Sequence, residues 1–277
     1  MYNRNVSTLH RDHPNAQQNH GYYGQTSSEL FRYTWTNTIN VNKDFANGHS
    51  LNAVAGMEMF QGKWYTSNFT GYDLNSDMMQ SPAGIGDKSG SSLFPPSIGG
   101  GRTMSNLMSF FAQASYSIAN KYNFSASLRH APSSKFYEDN ASATFWSVGA
   151  SWLISSESWF DNAKWLNQLK LRASYGTTGN QDGVSDFGTF DGYYNSSYNG
   201  ESGYSHGQLG NSELRWETSA QTNVGLDVSV LDSRVNVTFD FYNIKTKDLY
   251  MSKNISMTSG FSSILANAGS IVTRGVE

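Results

Sequence analysis

Residues 215–230, RWETSAQTNVGLDVSV, alternate between two chemical classes along the whole segment. One set of alternate positions is apolar or threonine and includes Val224 and Leu226, whereas the positions between them, such as Asn223 and Asp227, are polar or glycine. Successive side chains of a β-strand point to opposite faces, so this period of two predicts a strand with one apolar and one polar face. Strands in globular proteins usually stop after about 5–6 residues. The length of this strand therefore needs an explanation.

The same alternation recurs along most of the chain. The further segments that show it are 31–41, 50–60, 108–118, 122–130, 146–154, 169–177, 235–243 and 267–277. Together with the first segment they predict an all-β protein of about eight to nine antiparallel strands. The one helical feature that we expect is a turn within residues 155–168, capped by Ser156 or Ser158.

The connections between these strands alternate in length. Short ones lie at 42–49, 119–121, 155–168 and 231–234, and long ones at 61–104, 131–145, 178–214 and 244–266. Residues 1–30 lack alternation and are interpreted as a further loop. Periplasmic turns are short and extracellular loops long in up-and-down barrels of the outer membrane. The pattern predicts a segment of an antiparallel up-and-down transmembrane β-barrel, an open curved sheet whose strands need ~9–11 residues to cross the hydrocarbon.

Composition narrows the function classes. The chain has 277 residues, a formal net charge of −3 and no cysteine. No disulfide framework or thiolate metal site is therefore possible, and the charge balance does not favour a nucleic-acid partner. No apolar run approaches the ~18 residues of a transmembrane helix. Since MYNRNVSTLHRDH has no apolar core of a signal peptide, we expect either a cytoplasmic protein or a chain whose start is missing.

The histidines give little support to catalysis or metal binding. His10 and His13 lie close together in HRDH, but a metal would need a third ligand, so we interpret the segment as a polar loop. His130 falls at a strand end on the apolar face, where a position at the membrane interface fits better than catalysis. The motifs G-x-S-x-G, H-E-x-x-H and C-x-x-C do not occur. We expect no catalytic residue, no metal, no cofactor and no enzyme activity.

Two groups of side chains are candidates for contact with a ligand. Aromatic residues of the long connections, whose flat rings and hydroxyl groups suit sugars or peptides, are Trp64, Tyr65, Tyr193, Tyr194, Tyr198 and Tyr204. Charged residues on the polar strand faces are Arg32, Glu58, Arg129, Lys170, Arg172, Arg215, Glu217, Asp227 and Asp240. Five of them are taken as site residues: Arg129, Arg172, Glu217, Asp227 and Asp240. The aromatic residues either bind a ligand or pack the loops together. The charged residues either line a substrate path or pair with one another in a wet lumen.

Several segments resemble, in order, the barrel of SusC/RagA-type TonB-dependent transporters of Bacteroidota. They are WLNQLKLRASYGTTGNQ (165–181), LGNSELRWETSAQTNVGLDVSVLDSRVNVTFDFYNIKTKDLYM (209–251) and NAGSIVTRGVE (267–277). The resemblance covers residues 31–60 and 105–277 and includes connections as well as strands. One departure is LRHAPSSKF, where Ala131 and Pro132 stand in place of the family's usual aspartate and glycine. The conformation of that loop is therefore left open by the resemblance.

The resemblance implies active import across the bacterial outer membrane. Members of this family have about 22 strands around a plugged lumen, so residues 1–277 would be part of the receptor barrel domain. The plug domain, the TonB box and the signal peptide have no counterpart in the sequence. The implied partners are a SusD-like lipoprotein, the TonB complex, outer-membrane lipid and an oligosaccharide or peptide substrate.

Two other interpretations stay open. A soluble carbohydrate-binding β-sandwich also has alternating strands, but it would bury one face, including Val224 and Phe239, between two sheets. An outer-membrane enzyme on a small barrel would need a histidine that converges with a serine or aspartate near the loop ends, and the sequence offers no such set.

Overall fold

The computed structural model describes residues 1–75, 81–86, 94–160 and 165–277. Within these ranges the chain forms fourteen β-strands. In order they are β1 (Tyr2–Leu9), β2 (Tyr22–Phe45), β3 (His49–Tyr72), β4 (Ser97–Ile118), β5 (Tyr122–Pro132), β6 (Ser142–Leu153), β7 (Leu166–Asn180), β8 (Gly192–Tyr198), β9 (Glu201–Gln208), β10 (Glu217–Val230), β11 (Val235–Lys247), β12 (Tyr250–Asn254), β13 (Ser263–Asn267) and β14 (Ser270–Val276).

Ten of these strands form one sheet in the order β1-β2-β3-β4-β5-β6-β7-β10-β11-β14. Neighbours in the sheet run antiparallel and follow one another along the chain, with β8–β9 and β12–β13 set aside as separate two-stranded hairpins. The strands β1 and β14 are the two edges of the sheet. The predicted fold class, an open antiparallel up-and-down sheet, is confirmed.

Several predicted loops contain strands. The interpretation of residues 1–30 as a loop is wrong, because they hold β1 and the beginning of β2. β1 carries no apolar alternation; its backbone pairs with β2 from Tyr2 opposite Glu29 to Leu9 opposite Tyr22. The connection predicted at 61–104 is shortened by the ends of β3 and β4, and those at 178–214 and 244–266 each contain a hairpin.

The predicted alternation of short and long connections has one exception. The connections 46–48, 119–121 and 231–234 are tight turns, and those at 181–216 and 248–269 are long. However, residues 133–141 form a shorter connection than residues 154–165, which belong to the opposite end of the strands. The latter contain the expected helical turn as two 3-10 segments, Ile154–Ser156 and Ser158–Phe160. Leu153 occupies the N-cap of the first segment, Ser156 is the last residue of that segment and Ser158 is the first residue of the second, so the prediction that Ser156 or Ser158 caps the turn is wrong.

Two compact units make up the chain, residues 1–33 with 61–105 and residues 34–60 with 106–277. In the first unit Tyr23 is buried, and its ring stacks on Phe69 with the centroids 6.0 Å apart. Arg4 donates hydrogen bonds to the Tyr23 hydroxyl at 3.2 Å and to Gln25 at 2.8 Å, and so links β1 to β2.

In the second unit, strand register separates an apolar face from a polar face. Tyr122, Trp152, Leu171, Leu226 and Phe239 are successive partners on five adjacent strands and share the apolar face. The residues next to them in each strand point to the opposite, polar face. The observed register therefore keeps the two predicted faces together across these five strands.

The apolar face of the second unit is open. Val224 is 42% exposed and Phe239 is 51% exposed. A β-sandwich would bury both side chains between its two sheets. The interpretation as a soluble sandwich is therefore wrong. Among the described residues no helix combines the length and apolar character needed to cross a membrane.

Candidate functional site

An ion cluster occupies the centre of the polar face. The guanidinium of Arg172 on β7 donates two hydrogen bonds of 2.9 Å to the carboxylate of Asp227 on β10. The same group reaches both carboxylate oxygens of Asp240 on β11 at 3.1 Å. Lys170 is the cross-strand partner of Asp227 and brings a second positive charge to the same face. The cluster is formally neutral, with two cations and two anions. Three of the five predicted site charges, Arg172, Asp227 and Asp240, therefore pair with one another.

Gly225 makes this cluster possible. It lies on β10 between Arg172 and Asp240, opposite both of them in the sheet register. A Cβ at this position would lie 2.7 Å from the Arg172 Nη2 atom and would also collide with the Asp240 carboxylate. The missing side chain therefore leaves room for the arginine to cross one strand and bind a carboxylate on the next.

Arg129 and Glu217 lie apart from the cluster. Arg129 on β5 forms an ion pair with Glu58 on β3, and both side chains remain partly exposed. Glu217 is the first residue of β10, and its backbone N–H donates to the Tyr250 hydroxyl at 3.2 Å. The alternation in 50–60 had already placed Glu58 on the polar strand face, which is the face that carries Arg129.

A cleft of about 490 Å³ lies beside Arg129, where β6 and β7 separate towards the long connections. Their ladder runs from Leu153 opposite Lys170 to Ser147 opposite Gly176. Beyond it, the cleft is lined by three aromatic residues, Phe145, Trp146 and Trp216, and by polar residues that include Asn180, Gln181 and Asp182. This combination of rings, amides and charges suits a polar ligand with some apolar surface.

The long connections are packed into a small core at the same end of the second unit. Its buried members are Ala131, Phe136, Val184, Leu214 and Trp216. Ala131 is 3% exposed, so the departure from the family pattern places a small apolar side chain inside this core. The alternation predicted Trp216 on the apolar strand face, and that placement is wrong. Its ring packs against Phe136 at 5.4 Å and Phe145 at 5.6 Å between centroids.

Tyr250, the first residue of β12, joins three parts of the chain at this core. Its hydroxyl bonds to the carbonyl of Asn180 at 3.0 Å, to the carbonyl of Arg215 at 2.9 Å and to the N–H of Glu217 at 3.2 Å. Burial raises the pKa of Tyr250 to about 12. Arg215 also pairs with Asp248 at 2.6 Å. The sequence contains no signal for this arrangement, because the partners come from distant connections.

The predicted ligand-contacting aromatic residues fall into two sets. Trp64 and Tyr65 belong to β3 in the first unit, so their assignment to a loop is wrong. Trp64 donates its indole N–H to Thr66 at 2.6 Å, and the Tyr65 ring faces the Arg102 guanidinium at 5.1 Å. Both rings remain more than a third exposed.

The four predicted tyrosines of the second unit lie on the β8–β9 hairpin, and all are well exposed. Tyr193 packs against His206 with ring centroids 4.4 Å apart. Tyr198 and Tyr204 are 89% and 80% exposed, so their rings are almost entirely available for an external contact. The hairpin turns at Asn199 and Gly200, both of which have positive φ, as a two-residue turn of this kind requires.

The histidines singled out in the sequence make local hydrogen bonds. His13 Nδ1 accepts a hydrogen bond from the Asn15 N–H at 3.1 Å and caps a short 3-10 turn. His130 bonds to its cross-strand partner Thr144 at 2.9 Å. Within the described ranges, no three histidine, aspartate or glutamate side chains are grouped as a metal ion would require.

The chain matches the family model described as "TonB dependent receptor-like, beta-barrel" over residues 2–277. It therefore belongs to the family of TonB-dependent receptor β-barrels. The family assignment and the open antiparallel sheet agree with each other.

Individual relatives are similarly named. The chain is 35% identical to TonB-dependent receptor P39 of Formosa agariphila over 244 residues, 87% of this chain and 23% of that protein. It is 34% identical to TonB-dependent receptor SusC of Bacteroides thetaiotaomicron over 183 residues, 63% of this chain and 18% of that protein. The chain thus spans less than a quarter of either relative.

A solved structure of the RagAB peptide transporter matches 99% of this chain and 30% of that chain, with a TM-score of 0.89 and 25% identity. The RagAB peptide importer in its "open-open" state matches with a TM-score of 0.85 and 26% identity over 99% of this chain and 30% of that chain. The predicted resemblance to SusC/RagA-type receptors is confirmed.

Proposed function

We propose that this chain forms part of the barrel wall of a TonB-dependent importer in a bacterial outer membrane. The observation that carries the proposal is the family match over residues 2–277 in a sheet whose apolar face is exposed. An exposed row of large apolar side chains is costly in water and favourable in lipid. The apolar face would contact outer-membrane lipid, and the polar face would contact the lumen.

On this proposal the charged residues have two roles. The Arg172 cluster is internally paired and stabilises the wall, because each of its carboxylates already accepts hydrogen bonds from the guanidinium. Arg129 faces the cleft beside Gln181 and Asp182 and is the stronger candidate for the substrate path. Glu217 is the first residue of β10 and directly follows one of the long connections.

The remaining parts of the importer would come from outside residues 1–277. The chain spans 23% of one curated relative and 30% of one solved transporter chain, which leaves room for a plug domain and a TonB box elsewhere. The proposed partners are the TonB complex and a SusD-like lipoprotein. The proposed role is transport, with no catalytic step and no cofactor.

The proposed substrate class is an oligosaccharide or a peptide. Two solved structures that match the chain are named as peptide transporters or importers, and another relative is named SusC. The exposed tyrosines of the β8–β9 hairpin offer flat rings with hydroxyl groups, which suit either ligand.

The proposal is tested by uptake in cells that produce the whole receptor. We expect the receptor in the outer-membrane fraction, and uptake of its fluorescent oligosaccharide or peptide cargo should stop when TonB is deleted. Recovery of the receptor in the soluble fraction, or unchanged uptake without TonB, would contradict the proposal.

A pair of variants tests the hairpin. Tyr198→Ala and Tyr204→Ala remove rings that are at least 80% exposed, so a loss of cargo binding would report direct ligand contact. Met257→Ala, at a 78% exposed residue of another long connection, is the control and should bind normally. If all three variants bind like the wild type, these tyrosines do not contact the cargo.

A further inference from the structure

The sheet of the second unit splits between β6 and β7. Their ladder ends at Ser147 opposite Gly176, although β6 extends back to Ser142 and β7 extends on to Asn180. Along the split each strand stays paired with its other neighbour, β6 with β5 and β7 with β10. In the described part of the sheet, the two edges that face each other are therefore left without a strand partner. The cleft of about 490 Å³ is lined by residues of both edges.

Two side chains stand between the separated strands. Trp146, the first residue of β6 beyond the ladder, donates its backbone N–H to the Thr177 side-chain hydroxyl at 3.2 Å. Next to it, the Phe145 ring reaches across to Gly179 on β7, where an added Cβ would lie 2.6 Å from the Phe145 Cε1 atom. The hydroxyl and the ring therefore keep the two backbones apart, and the split is built into the packing of the wall.

The backbone groups that face the split follow from the alternation of the ladder. The side to which a residue directs its N–H and C=O alternates along a strand. Because the Trp146 N–H points to β7, the N–H and C=O of Thr144 and Ser142 point the same way. Gly179 continues the register of the ladder opposite Thr144, so its N–H and C=O point to β6. Backbone donors and acceptors are thus available on both sides of the cleft.

The side chains around the cleft suit a ligand with varied side groups. Phe145, Trp146 and Trp216 contribute rings to its lining. Arg129 is the cation of the lining, and its charge is balanced by the ion pair with Glu58. The cleft therefore offers apolar surface and hydrogen-bonding groups without a strong excess of one charge, so it selects little by side-chain charge.

One ligand class matches the two free edges. An extended peptide directs an N–H and a C=O to the same side at every second residue, about 6.6–6.8 Å apart, which is also the spacing of Ser142 and Thr144 along β6. An oligosaccharide carries hydroxyl groups but no backbone donors and acceptors that repeat at this spacing. In peptide recognition by strand addition, main-chain hydrogen bonds supply affinity and pockets for alternate side chains supply specificity.

We propose that the cleft binds the cargo as an extended peptide, which pairs with β6 at Thr144 and with β7 at Gly179. This inference rests on the proposed transport function and narrows its substrate class to peptides that are recognised mainly through their backbone. On β7 the split runs from Thr177 to Asn180, four residues, so a peptide segment of similar length fits. Because all peptides share the same backbone, the site accepts many sequences.

The test measures the binding of two probes to the whole receptor in detergent by fluorescence anisotropy. The first probe is fluorescein-labelled tetraalanine, and the second is the same peptide with every backbone N–H methylated. The two probes have identical side chains, but only the first can donate backbone hydrogen bonds. We expect tetraalanine to bind, the methylated probe to bind at least about tenfold more weakly, and unlabelled maltotetraose not to displace tetraalanine.

A pair of variants locates the contact. Thr144→Pro removes the N–H that faces the cleft, a change that a free strand edge tolerates. Thr144→Val is the matched control, because both variants lose the hydroxyl that bonds to His130 at 2.9 Å and only the proline also loses the N–H. We expect Thr144→Val to bind tetraalanine like the wild type and Thr144→Pro to bind it at least about fivefold more weakly, the scale of one unpaired backbone group.

Several outcomes would overturn the inference. They are a wild-type receptor that does not bind tetraalanine, equal binding of the two probes, and equal binding by the two variants. If Thr144→Pro does not fold, the comparison of the two probes on the wild type decides. Displacement of tetraalanine by maltotetraose, or TonB-dependent uptake of labelled maltotetraose without peptide binding, would refute the peptide assignment and leave the proposed transport function intact. Uptake that is independent of TonB would instead refute the transport function.

Discussion

An arginine placed at Val224 or at Asn223 tests which face of the sheet meets lipid. The two residues are adjacent in the middle of β10, so local strand propensity hardly distinguishes them. Val224 is 42% exposed and lies between Ala173 and Phe241, whereas Asn223 lies between Ser174 and Tyr242 on the polar face. The outcome therefore depends on the face that each side chain occupies.

The expected difference follows from the surroundings of the two positions. An arginine on a lipid-facing position near the middle of the membrane costs about 2–4 kcal/mol. At about 1.4 kcal/mol for each factor of ten, Val224→Arg should lower the equilibrium constant for folding by roughly 30-fold to 700-fold. Asn223→Arg enters a wet surface that already holds the Arg172 cluster. Its cost should stay below about 1 kcal/mol, the usual scale of exposed charge interactions.

Two measurements on the whole receptor give the answer. Urea unfolding in lipid vesicles measures the change in the free energy of unfolding, and the yield of heat-resistant folded protein in outer-membrane fractions measures assembly. Val224→Arg should lose stability and yield, and Asn223→Arg should resemble the wild type. Equal losses, or a larger loss for Asn223→Arg, would mean that the faces are assigned backwards or that no membrane is involved.

Three further predictions concern the Arg172 cluster, the long connections and the connection after β6. Gly225→Ala should lower the free energy of unfolding in urea by about 1–3 kcal/mol because its Cβ displaces the Arg172 and Asp240 side chains. Gly203→Ala, whose Cβ would meet only a backbone oxygen 3.8 Å away, should leave it unchanged, and equal effects would refute the reasoning. Tyr250→Phe should lower the free energy of unfolding in urea because three hydrogen bonds to the hydroxyl are lost. The excess stability of the wild type over this variant, present below the ordinary pKa of 10.0, should be lost as pH rises through about 12, and an excess that does not change with pH would contradict the assignment. Hydrogen bonds from Tyr122, Trp152 and Lys121 lower the pKa of Glu157 from its ordinary 4.5. Order in the 3-10 segments after β6 should therefore be complete above that value and lost as pH falls through the lowered pKa. Nitroxide mobility at Ser158→Cys measures this order, and Glu157→Gln should remove the pH dependence.

The strands with strong alternation could be predicted because their signal is local. In 122–130, 169–177 and 235–243, apolar and polar side chains alternate, which predicts the face of each side chain. In the structure these segments pair with neighbouring strands in a register that keeps those faces. β1 escaped prediction because YNRNVSTL has no apolar alternation, and its place depends on backbone pairing with β2. The β8–β9 hairpin, rich in Tyr, Ser and Gly, escaped because neither of its faces is apolar.

The candidate site was only partly predictable. Parity put Arg172, Asp227 and Asp240 on one face, but it did not say that they bind one another. Arg172 lies 55 residues from Asp227 and 68 from Asp240, and the contact also requires the gap left by Gly225. Trp216 was assigned to the wrong surroundings because the alternation starts at residue 215, whereas β10 begins at Glu217.

The sequence by itself determined the all-β class, the strands with clear alternation and their two faces, because each of these follows from the chemistry of neighbouring residues. Only the tertiary structure decided which charges pair, that Tyr250 joins three connections and that Glu157 binds Lys121 and Tyr122 at the start of β5. Those contacts join residues far apart in the chain, and they form only after the sheet has set the strands side by side.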